Sequence, residues 1–434
     1  MSCDVPTPDC CADGGAIPYE EALRLVLAHT RPLPAVKVEL ADALGCYLAA
    51  PAKSRWDSPR FEQSAMDGYA VRVANLAAAT AARPVTLRVA GEMAAGSSRR
   101  LALKAGTTVR VFTGSPLPAD TGAVVVQEVV AREGDHAVFG APAREGAHIR
   151  RVGEEYGKGD ELLPAGVAVT PPVIGLLAQL GQGNVKVGGR PRARVVTRGD
   201  ELGPAGTTPG RAQVVDANGP ALCAALRAAG ALKVRHVRVR DDAAALRRAL
   251  AAGLRTADLV VTVGGASVGD HDHVPAVRAQ LGIAELFGRV AIRPGLPNWF
   301  GLSPAGVPVF GLPGNPVSAL VSFELLVRPA VRRLMGASCA AAADGIANAG
   351  ADLPALSMPL AGEAAPAGDR LTWLRARLAV ADDGTPCVAP ARGQGSHMLG
   401  YLARAQALAV IAAGDGTLPA GTPVPVRRLE WFER

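Results

Sequence analysis

The segments DLVVTVGGASVGDHDH at 258–273 and VPVFGLPGNPVS at 307–318 decide the fold class. Each begins with a short apolar run rich in β-branched residues, 259–263 and 307–311, and each run ends at a glycine-bearing turn. Runs that are apolar throughout and too short for a helix are typical of strands buried on both faces of a parallel sheet. Ligands of open α/β sheets lie beyond the carboxyl ends of the strands, so both turns are predicted to contribute to a ligand site.

The remainder of the chain is predicted from the same kind of pattern. Strand and helix patterns alternate from residue 193 to residue 334, which predicts a doubly wound, mostly parallel sheet with right-handed crossovers. Short strands broken by glycine precede and follow this region and predict two β domains. Outside the sheet, helices are predicted from Pro18, near 40–50 and at 171–180.

The predicted architecture is therefore an α/β plus β multidomain protein with a central doubly wound, mostly parallel α/β domain. The expected segments are a disordered tail at 1–16, a discontinuous helical linking domain at 17–45 and 160–190, an inserted β-rich domain at 46–159, the α/β domain at 191–338 and a small C-terminal β-barrel at 339–434.

Composition narrows the function classes. With 434 residues, the chain is long enough for about three domains of roughly 150 residues each. The net charge is +7, arginines are dispersed and aromatic residues make up 4% of the chain, which argues against a nucleic-acid-binding protein. A mildly basic protein suits anionic substrates instead.

Localisation is predicted from the N-terminus, the apolar runs and the cysteines. No apolar run reaches the length of a membrane span, and the N-terminus lacks the features of a signal peptide, so we expect a cytoplasmic protein without a membrane partner. The seven cysteines are expected to be reduced thiols, and Cys3, Cys10 and Cys11 lack the paired spacing of a designed metal site.

The two turns after the buried strands are candidate anion-binding loops. Glycines let backbone N–H groups approach an anion, and the start of the following helix favours negative charge. An ordinary strand-to-helix turn is the alternative for either loop alone, but two such loops in one sheet favour a site. The candidate binding residues are Gly264, Gly265, Ser267, Gly269, Pro313, Gly314, Asn315, Pro316 and Ser318.

Acidic residues also follow the predicted strands, so their carboxylates are expected to lie at one edge of the sheet. Carboxylates beside a phosphate-binding turn suit Mg²⁺, which bridges phosphate oxygens. For Asp241 and Asp242 the alternative is an N-cap of the next helix. His271 and His273 lack a third ligand at suitable spacing, so solvated histidines are favoured over a zinc site. The acids are Asp200, Glu201, Asp241, Asp242, Asp270 and Asp272.

Two arginines precede the second turn. Arg289 and Arg293 lie four residues apart in a strand-like segment, which places them on one face, where they would clamp phosphates or an oxyanion such as molybdate. Surface arginines are the alternative. Asp67, in a run of small residues before Tyr69, would be part of a simple turn if taken alone.

Seven motifs in this order resemble the MoeA family of molybdenum insertion enzymes, the molybdopterin molybdenumtransferases, which are related to the E domain of gephyrin. The resemblance covers nearly the whole chain beyond the tail. The motifs are SAMDGYA at 64–70, TGSPLP at 113–118, IRRVGE at 149–154, GDEL at 199–202, GGASVG at 264–269 with Asp272, GLPGNP at 311–316 and GQGSH at 393–397.

The resemblance implies a homodimer whose substrates are adenylylated molybdopterin and molybdate, with Mg²⁺-assisted pyrophosphate cleavage and release of AMP. It implies a MoaB/MogA-like α/β domain and an active site between that domain of one subunit and the β-rich domain of the other. It allows a molybdopterin adenylyltransferase and molybdoenzyme maturation proteins as further partners. The functional positions carried over are Asp67, Thr113, Glu201, Asp241, Asp272, Pro313 and Pro316, and the acids expected to hold the metal are Glu201, Asp241 and Asp272.

The chain departs from the family pattern at several positions. Leu296, Arg289 and Arg293 stand where lysines are typical, Arg198 replaces a small hydroxyl residue, Glu155 replaces an aspartate and Val263 replaces a serine. Because Leu296 lacks a charge, a diverged paralogue that binds molybdopterin or scaffolds partners without turnover is a second hypothesis. A molybdopterin-adenylylating enzyme is a third, which the two additional β domains disfavour.

Overall fold

The computed structural model describes residues 15–264, 273–338, 356–365, 368–414, 416–429 and 431. Contacts divide the chain into two compact units. The smaller unit comprises Pro51–Pro164 and Leu176–Gln182, and the larger unit comprises the rest. Almost all of the predicted tail, including Cys3, Cys10 and Cys11, lies outside the described residues.

The helices follow the predicted periodic segments closely, except near residues 40–50. Within the described ranges, each helix is too short or too polar to cross a membrane. The helices are α1 (Tyr19–His29), α2 (Pro171–Gln179), α3 (Asn218–Ala228), α4 (Ala243–Thr256), α5 (Val274–Gln280), α6 (Pro316–Ser322), α7 (Arg328–Leu334) and α8 (Leu399–Leu402).

The strands are short and are distributed over both units. They are β1 (Ala35–Glu39), β2 (Ala52–Lys53), β3 (Gln63–Ser64), β4 (Gly68–Val71), β5 (Val85–Met93), β6 (Thr107–Val111), β7 (Ala123–Val126), β8 (Val130–Glu133), β9 (His136–Phe139), β10 (Ile149–Arg150), β11 (Glu161–Leu163), β12 (Asn184–Gly188), β13 (Arg192–Arg198), β14 (Leu202–Gly203), β15 (Val214–Val215), β16 (Lys233–Val239), β17 (Leu259–Val263), β18 (Ala284–Phe287), β19 (Ile292–Arg293), β20 (Trp299–Leu302), β21 (Pro308–Leu312), β22 (Ser357–Pro359), β23 (Leu371–Val380), β24 (Pro386–Pro390), β25 (Ala407–Ile411) and β26 (Pro423–Arg428).

The predicted helix near 40–50 is wrong. β1 pairs antiparallel with β12, and only a single 3₁₀ turn, Leu40–Asp42, follows it. Gly45 then adopts a positive φ of 76°, and its N–H donates to the carbonyl of Val169 at 2.9 Å. This long-range hydrogen bond replaces the bond that a helix would make locally, so the chain turns away instead of continuing a helix.

The smaller unit contains a six-stranded sheet in the order β7-β4-β6-β5-β9-β8. Its core includes Tyr69 and Phe139, whose rings meet edge to face with centroids 6.1 Å apart. Strand β4 carries the chain from the SAMDGYA motif into the middle of this sheet, where it pairs with β6 and β7. The ends of β4 and β6 therefore bring the segments at Asp67 and Thr113 together.

The α/β domain in the larger unit contains a six-stranded sheet in the order β16-β13-β17-β21-β20-β18. The first four strands are parallel, as predicted, and β17 and β21 are buried along their whole length. Strands β20 and β18 were not predicted and pair antiparallel at one edge. The four parallel strands present their carboxyl ends at one edge, which positions the candidate site.

Two further features complete the larger unit. In the C-terminal domain, β24, β23, β25, β26 and β22 pair in succession, and Leu360 after β22 bridges Val388 of β24, so the strands form a closed ring. Helices α6 and α7 are joined by a π-helical turn, Phe323–Val327, and the three together form one continuous helical segment.

Candidate functional site

The two predicted anion loops lie next to each other at the carboxyl ends of β17 and β21. Gly264 has a φ of 89°, and its N–H donates to the carbonyl of Leu312 at 3.3 Å. A Cβ on Gly314 would lie 3.9 Å from the Cα of Gly264. The two turns therefore lie side by side at Gly264 and Gly314, and the prediction that they bind a ligand stays a prediction. Gly265, Ser267, Gly269, Asp270, His271 and Asp272 lie outside the described residues.

The Pro313–Pro316 turn differs in detail from the prediction. Pro316 is the first residue of α6, as expected, and Gly314 and Asn315 are exposed, whereas Pro313 and Ser318 are buried. The N–H of Val317 donates to the carbonyl of Ser396 at 3.1 Å, so this group is already used within the chain and is not open to an anion. An anion at this turn would have to bind other groups.

Sequence reasoning missed Arg375, which lies in β23 beneath the GQGSH loop. Its side chain is fully buried, and its Nη2 donates to the carbonyls of Gly393 at 2.8 Å and Gly395 at 3.3 Å. Its Nε and Nη1 have no hydrogen-bond partner within the described part of the chain. Burial lowers the pKa of the Arg375 guanidinium to about 10, and it remains protonated at neutral pH. An arginine inside the apolar strand LTWLRARLAV was the available signal.

The loop around Arg375 is held by a second residue. The Oε1 of Gln394 accepts from the backbone N–H of Arg375 at 3.1 Å, and its Nε2 donates to the carbonyls of Arg375 and Ala391 at 2.9 and 2.8 Å. Because Ser396 in the same loop accepts from Val317, the buried cation, the GQGSH loop and the start of α6 form one connected structure.

Among the predicted acids that the structure describes, the three aspartates at this edge, Asp200, Asp241 and Asp242, each have a partner already. Asp241 pairs with Arg198 at 3.1 Å, and Asp200 accepts from Arg240 and from the backbone N–H of Asp241, each at 3.3 Å. Asp242 caps α4 by accepting from the N–H of Ala245 at 2.7 Å, and this hydrogen bond lowers its pKa. The capping alternative is therefore correct for Asp242.

The metal prediction rests on Glu201, Asp241 and Asp272. Glu201 is exposed, and its carboxylate lies directly over Gly199, where a side chain would displace it. Carboxylate oxygens are the ligands that Mg²⁺ prefers, so Glu201 and Asp241 fit the metal in donor type. Among the described residues no three His, Cys, Asp or Glu side chains are grouped to hold a metal, and Asp272 lies outside them.

A polar cluster built on the buried side chains of Thr197 and Asp216 was also missed. The Oγ1 of Thr197 donates to Oδ2 of Asp216 at 2.6 Å, and His236 Nε2 lies 3.2 Å from the same oxygen. Burial opposes ionisation of Asp216, but hydrogen bonds from His236, the N–H of Gly219 and Thr197 outweigh it and lower its pKa to about 2. The cluster sits just before Asn218, whose Nδ2 donates to the carbonyl of Gly314 at 2.7 Å.

The two candidate arginines lie on one face, as predicted. Arg289 and Arg293 are exposed, while Val290 and Ile292 between them are buried. The following glycine, Gly295, has a φ of 119°, and a Cβ there would lie 2.7 Å from the Oγ of Ser322, so the RPGLP turn requires glycine.

In the smaller unit the structure brings together two further predicted residues. Oδ1 of Asp67 accepts from the backbone N–H of Thr113 at 2.8 Å and from its Oγ1 at 2.9 Å. These two hydrogen bonds hold the pKa of Asp67 below its ordinary value, so the carboxylate is charged at neutral pH. Asp67 is therefore an oriented anion and not simply a turn residue.

Models of known protein families match successive segments of the chain between residues 17 and 429. The MoeA N-terminal region (domain I and II) matches residues 17–181, a probable molybdopterin binding domain matches residues 194–333, and the MoeA C-terminal region (domain IV) matches residues 357–429.

The curated relatives are named molybdopterin molybdenumtransferases. Molybdopterin molybdenumtransferase 1 of Mycobacterium tuberculosis is 34% identical over 429 residues, which cover 94% of this chain and 97% of the relative. Molybdopterin molybdenumtransferase 2 of the same organism is 38% identical over 327 residues, which cover 73% of this chain and 79% of the relative.

Solved structures agree with these relatives. The molybdopterin biosynthesis MoeA protein from Pyrococcus horikoshii OT3 has a TM-score of 0.79 and 25% sequence identity, and the match covers 96% of this chain and 100% of that one. Another structure described as a molybdopterin biosynthesis MoeA protein from Pyrococcus horikoshii has a TM-score of 0.73 and 28% identity, and the match covers 95% of this chain and 98% of that one. Because the matches extend over every domain in order, the chain belongs to the MoeA family of molybdenum cofactor biosynthesis enzymes.

Proposed function

We propose that the protein is a molybdopterin molybdenumtransferase that uses molybdate and adenylylated molybdopterin, cleaves the pyrophosphate bond and releases AMP. The observation that carries the proposal is the adjacency of the Gly264 turn and the Pro313–Pro316 turn at the carboxyl ends of β17 and β21. Such an edge suits a phosphorylated ligand because the strands end there and glycine permits close approach.

The charges around this edge support a pyrophosphate substrate. Bound Mg²⁺ neutralises charge on pyrophosphate oxygens. Glu201 and Asp241 are the described residues that would hold it, with Asp272 as the third acid. In this proposal, Glu201 is kept close to the backbone by the absence of a side chain at Gly199.

The incoming oxyanion requires cations of its own. Arg375 is buried and has two N–H-bearing nitrogens, Nε and Nη1, without partners in the described residues. Arg289 and Arg293 add two exposed guanidiniums on one face of the neighbouring segment. A guanidinium binds tetrahedral oxyanions through two parallel hydrogen bonds, so we assign molybdate recognition to these arginines.

The direct test incubates the purified protein with adenylylated molybdopterin, molybdate and Mg²⁺ and follows AMP by chromatography and molybdenum by mass spectrometry. We expect AMP and molybdenum-loaded molybdopterin in equal amounts. E201Q should lower the rate by roughly 100-fold, since it removes one of the charges that orient the metal. D369N, a change at an exposed carboxylate paired with Arg370, should leave the rate unchanged. Absence of AMP with the unaltered protein would refute the proposal.

Leu296 favours a second candidate function. It stands without charge in the RPGLP turn, where its carbonyl accepts from the N–H groups of Val290 and Asn298 at 3.0 and 2.9 Å. A non-catalytic protein that binds molybdopterin would bind the ligand in calorimetry, release no AMP and fail to rescue a strain that lacks the insertion enzyme. Rescue of that strain would exclude it.

We also propose that the protein is a homodimer in the cytoplasm. Cys46, Cys223 and Cys387 are free and buried, which suits a reducing compartment. The hydrogen-bonded pair of Asp67 and Thr113 would complete the site of a partner subunit, as the resemblance implies. A molybdopterin adenylyltransferase is the enzyme class that would supply the substrate.

A further inference from the structure

Arg198 occupies an unusual position for a cation. It is the last residue of β13, which lies between β16 and β17 in the sheet. Its side chain is only 6% exposed, and its Nε lies 3.1 Å from Oδ1 of Asp241, whose side chain is 38% exposed. The buried guanidinium of Arg198 therefore pairs with the carboxylate of Asp241, which the proposed function assigns as a ligand of Mg²⁺.

Asp241 pairs with Arg198 and is also proposed to bind Mg²⁺, and these two roles compete. A buried positive charge repels a divalent cation at the same carboxylate, and burial weakens the screening of that repulsion by solvent. The guanidinium is planar and buried, and its Nε contacts Oδ1 of Asp241 from a fixed position, which restricts the orientation of that carboxylate.

A second arginine in the same region gives an internal comparison. Arg240 pairs with Asp200 at 3.3 Å, but its side chain is 87% exposed and that of Asp200 is 58% exposed. Solvent screens such a pair, and its effect on a nearby ion is small. The difference between the two arginines lies in burial and not in charge.

We propose that Arg198 is a resident cation that sets the divalent-cation requirement of this site by weakening metal binding at Asp241 in the substrate-free protein. The inference rests on the proposed function for the identity of the metal site. Arg198 is a positioning residue in this proposal, since it acts through the carboxylate of Asp241 and does not touch the reacting atoms. The anionic substrate then offsets the charge of Arg198, so the cation is bound tightly only together with it.

The test measures Mn²⁺, a spectroscopic substitute for Mg²⁺, binding to the substrate-free full-length protein by electron paramagnetic resonance. We expect R198Q to bind Mn²⁺ about tenfold or more tightly than the unaltered protein. R198K keeps the charge and should retain weak binding. R240Q removes an equally charged but exposed side chain and should leave the affinity unchanged. The double variant R198Q/D241N should lose the gain.

Three results would overturn the proposal: equal Mn²⁺ affinity in R198Q and the unaltered protein, a gain that persists in R198Q/D241N, or an equal gain in R240Q. Far-UV circular dichroism checks that R198Q folds. If R198Q does not fold, the D241N variant decides on its own. With Arg198 present, D241N should change the Mn²⁺ affinity by less than about twofold. A larger loss of affinity contradicts the proposal. AMP release is measured separately, so failure of the proposed function leaves the Mn²⁺ result interpretable, and the reverse also holds.

Discussion

At the residue scale, the side chain of Thr113 orients Asp67. T113V removes the hydroxyl donor and leaves the backbone N–H, so the pKa of Asp67 should rise toward its ordinary value. NMR titration of the carboxylate measures the shift. We expect AMP release to fall by roughly tenfold with it. T113S keeps the donor and should restore both values, and a T113S protein as impaired as T113V would show that the methyl group matters instead.

Arg375 allows a second prediction at this scale. R375M removes the buried charge, and molybdate binding by calorimetry should weaken by at least about tenfold. R377M is the matched control, because Arg377 lies in the same strand and is exposed. Equal molybdate affinities of R375M and R377M would contradict the assigned role.

At the element scale, the π-helical turn holds a buried ion pair. Arg328 donates to both oxygens of Glu324 at 2.7 and 2.6 Å, and both side chains are almost fully buried. The indole of Trp431 and Nη2 of Arg427 also donate to Glu324, to its carboxylate and its carbonyl respectively. The turn therefore ties the α/β domain to β26 of the C-terminal domain.

Breaking this pair should be costly. E324Q leaves a buried guanidinium without its carboxylate, and we expect the free energy of unfolding in urea to fall by about 3–5 kcal/mol. The control E21Q breaks the exposed pair of Glu21 with Arg24 and should cost less than about 0.5 kcal/mol. Similar losses in both variants would show that burial does not govern the strength of this pair.

The turn between β15 and α3 carries a pH-dependent prediction. Asp216 has a folded pKa of about 2, below its ordinary value of 3.8, so its ionisation stabilises the folded state at higher pH. The stabilisation is present in full above pH 4–5 and is lost as the pH falls toward about 2. We expect D216N to lower the free energy of unfolding by about 2 kcal/mol at pH 7 and by progressively less from pH 4 to pH 2. An unfolding difference independent of pH would contradict this.

At the scale of the whole molecule, the proposed dimer predicts a particle of twice 44.3 kDa in analytical ultracentrifugation. D67N and E201Q are each expected to lose most of their activity. If each site combines residues from two subunits, mixing them after reversible dissociation should restore about a quarter of the unaltered activity, because half of the dimers would then carry one intact site. A monomer, or no recovery on mixing, would contradict the shared site.

Much of the α/β domain was predictable because its signals are local. The apolar run Leu259–Val263 was predicted at the observed residues, and strands and helices alternate between residues 193 and 334 as predicted. The helix predicted near 40–50 failed because Gly45 bonds to Val169, a partner over one hundred residues away along the chain. Strands β20 and β18 were missed for a related reason, since β20 is defined by pairing with β21 and β18 by pairing with β20.

In the candidate site, too, features set by neighbouring residues were predictable and long-range contacts were not. The sequence by itself determined which elements form and that glycine turns and carboxylates would share one edge of a sheet, because hydrophobic periodicity and turn residues act over a few neighbours. Tertiary structure alone decided the partners: Asp67 with Thr113, Asp241 with Arg198, and Arg375 with the GQGSH loop. These contacts join residues far apart in the chain, and burial sets their strength, which a linear pattern does not encode.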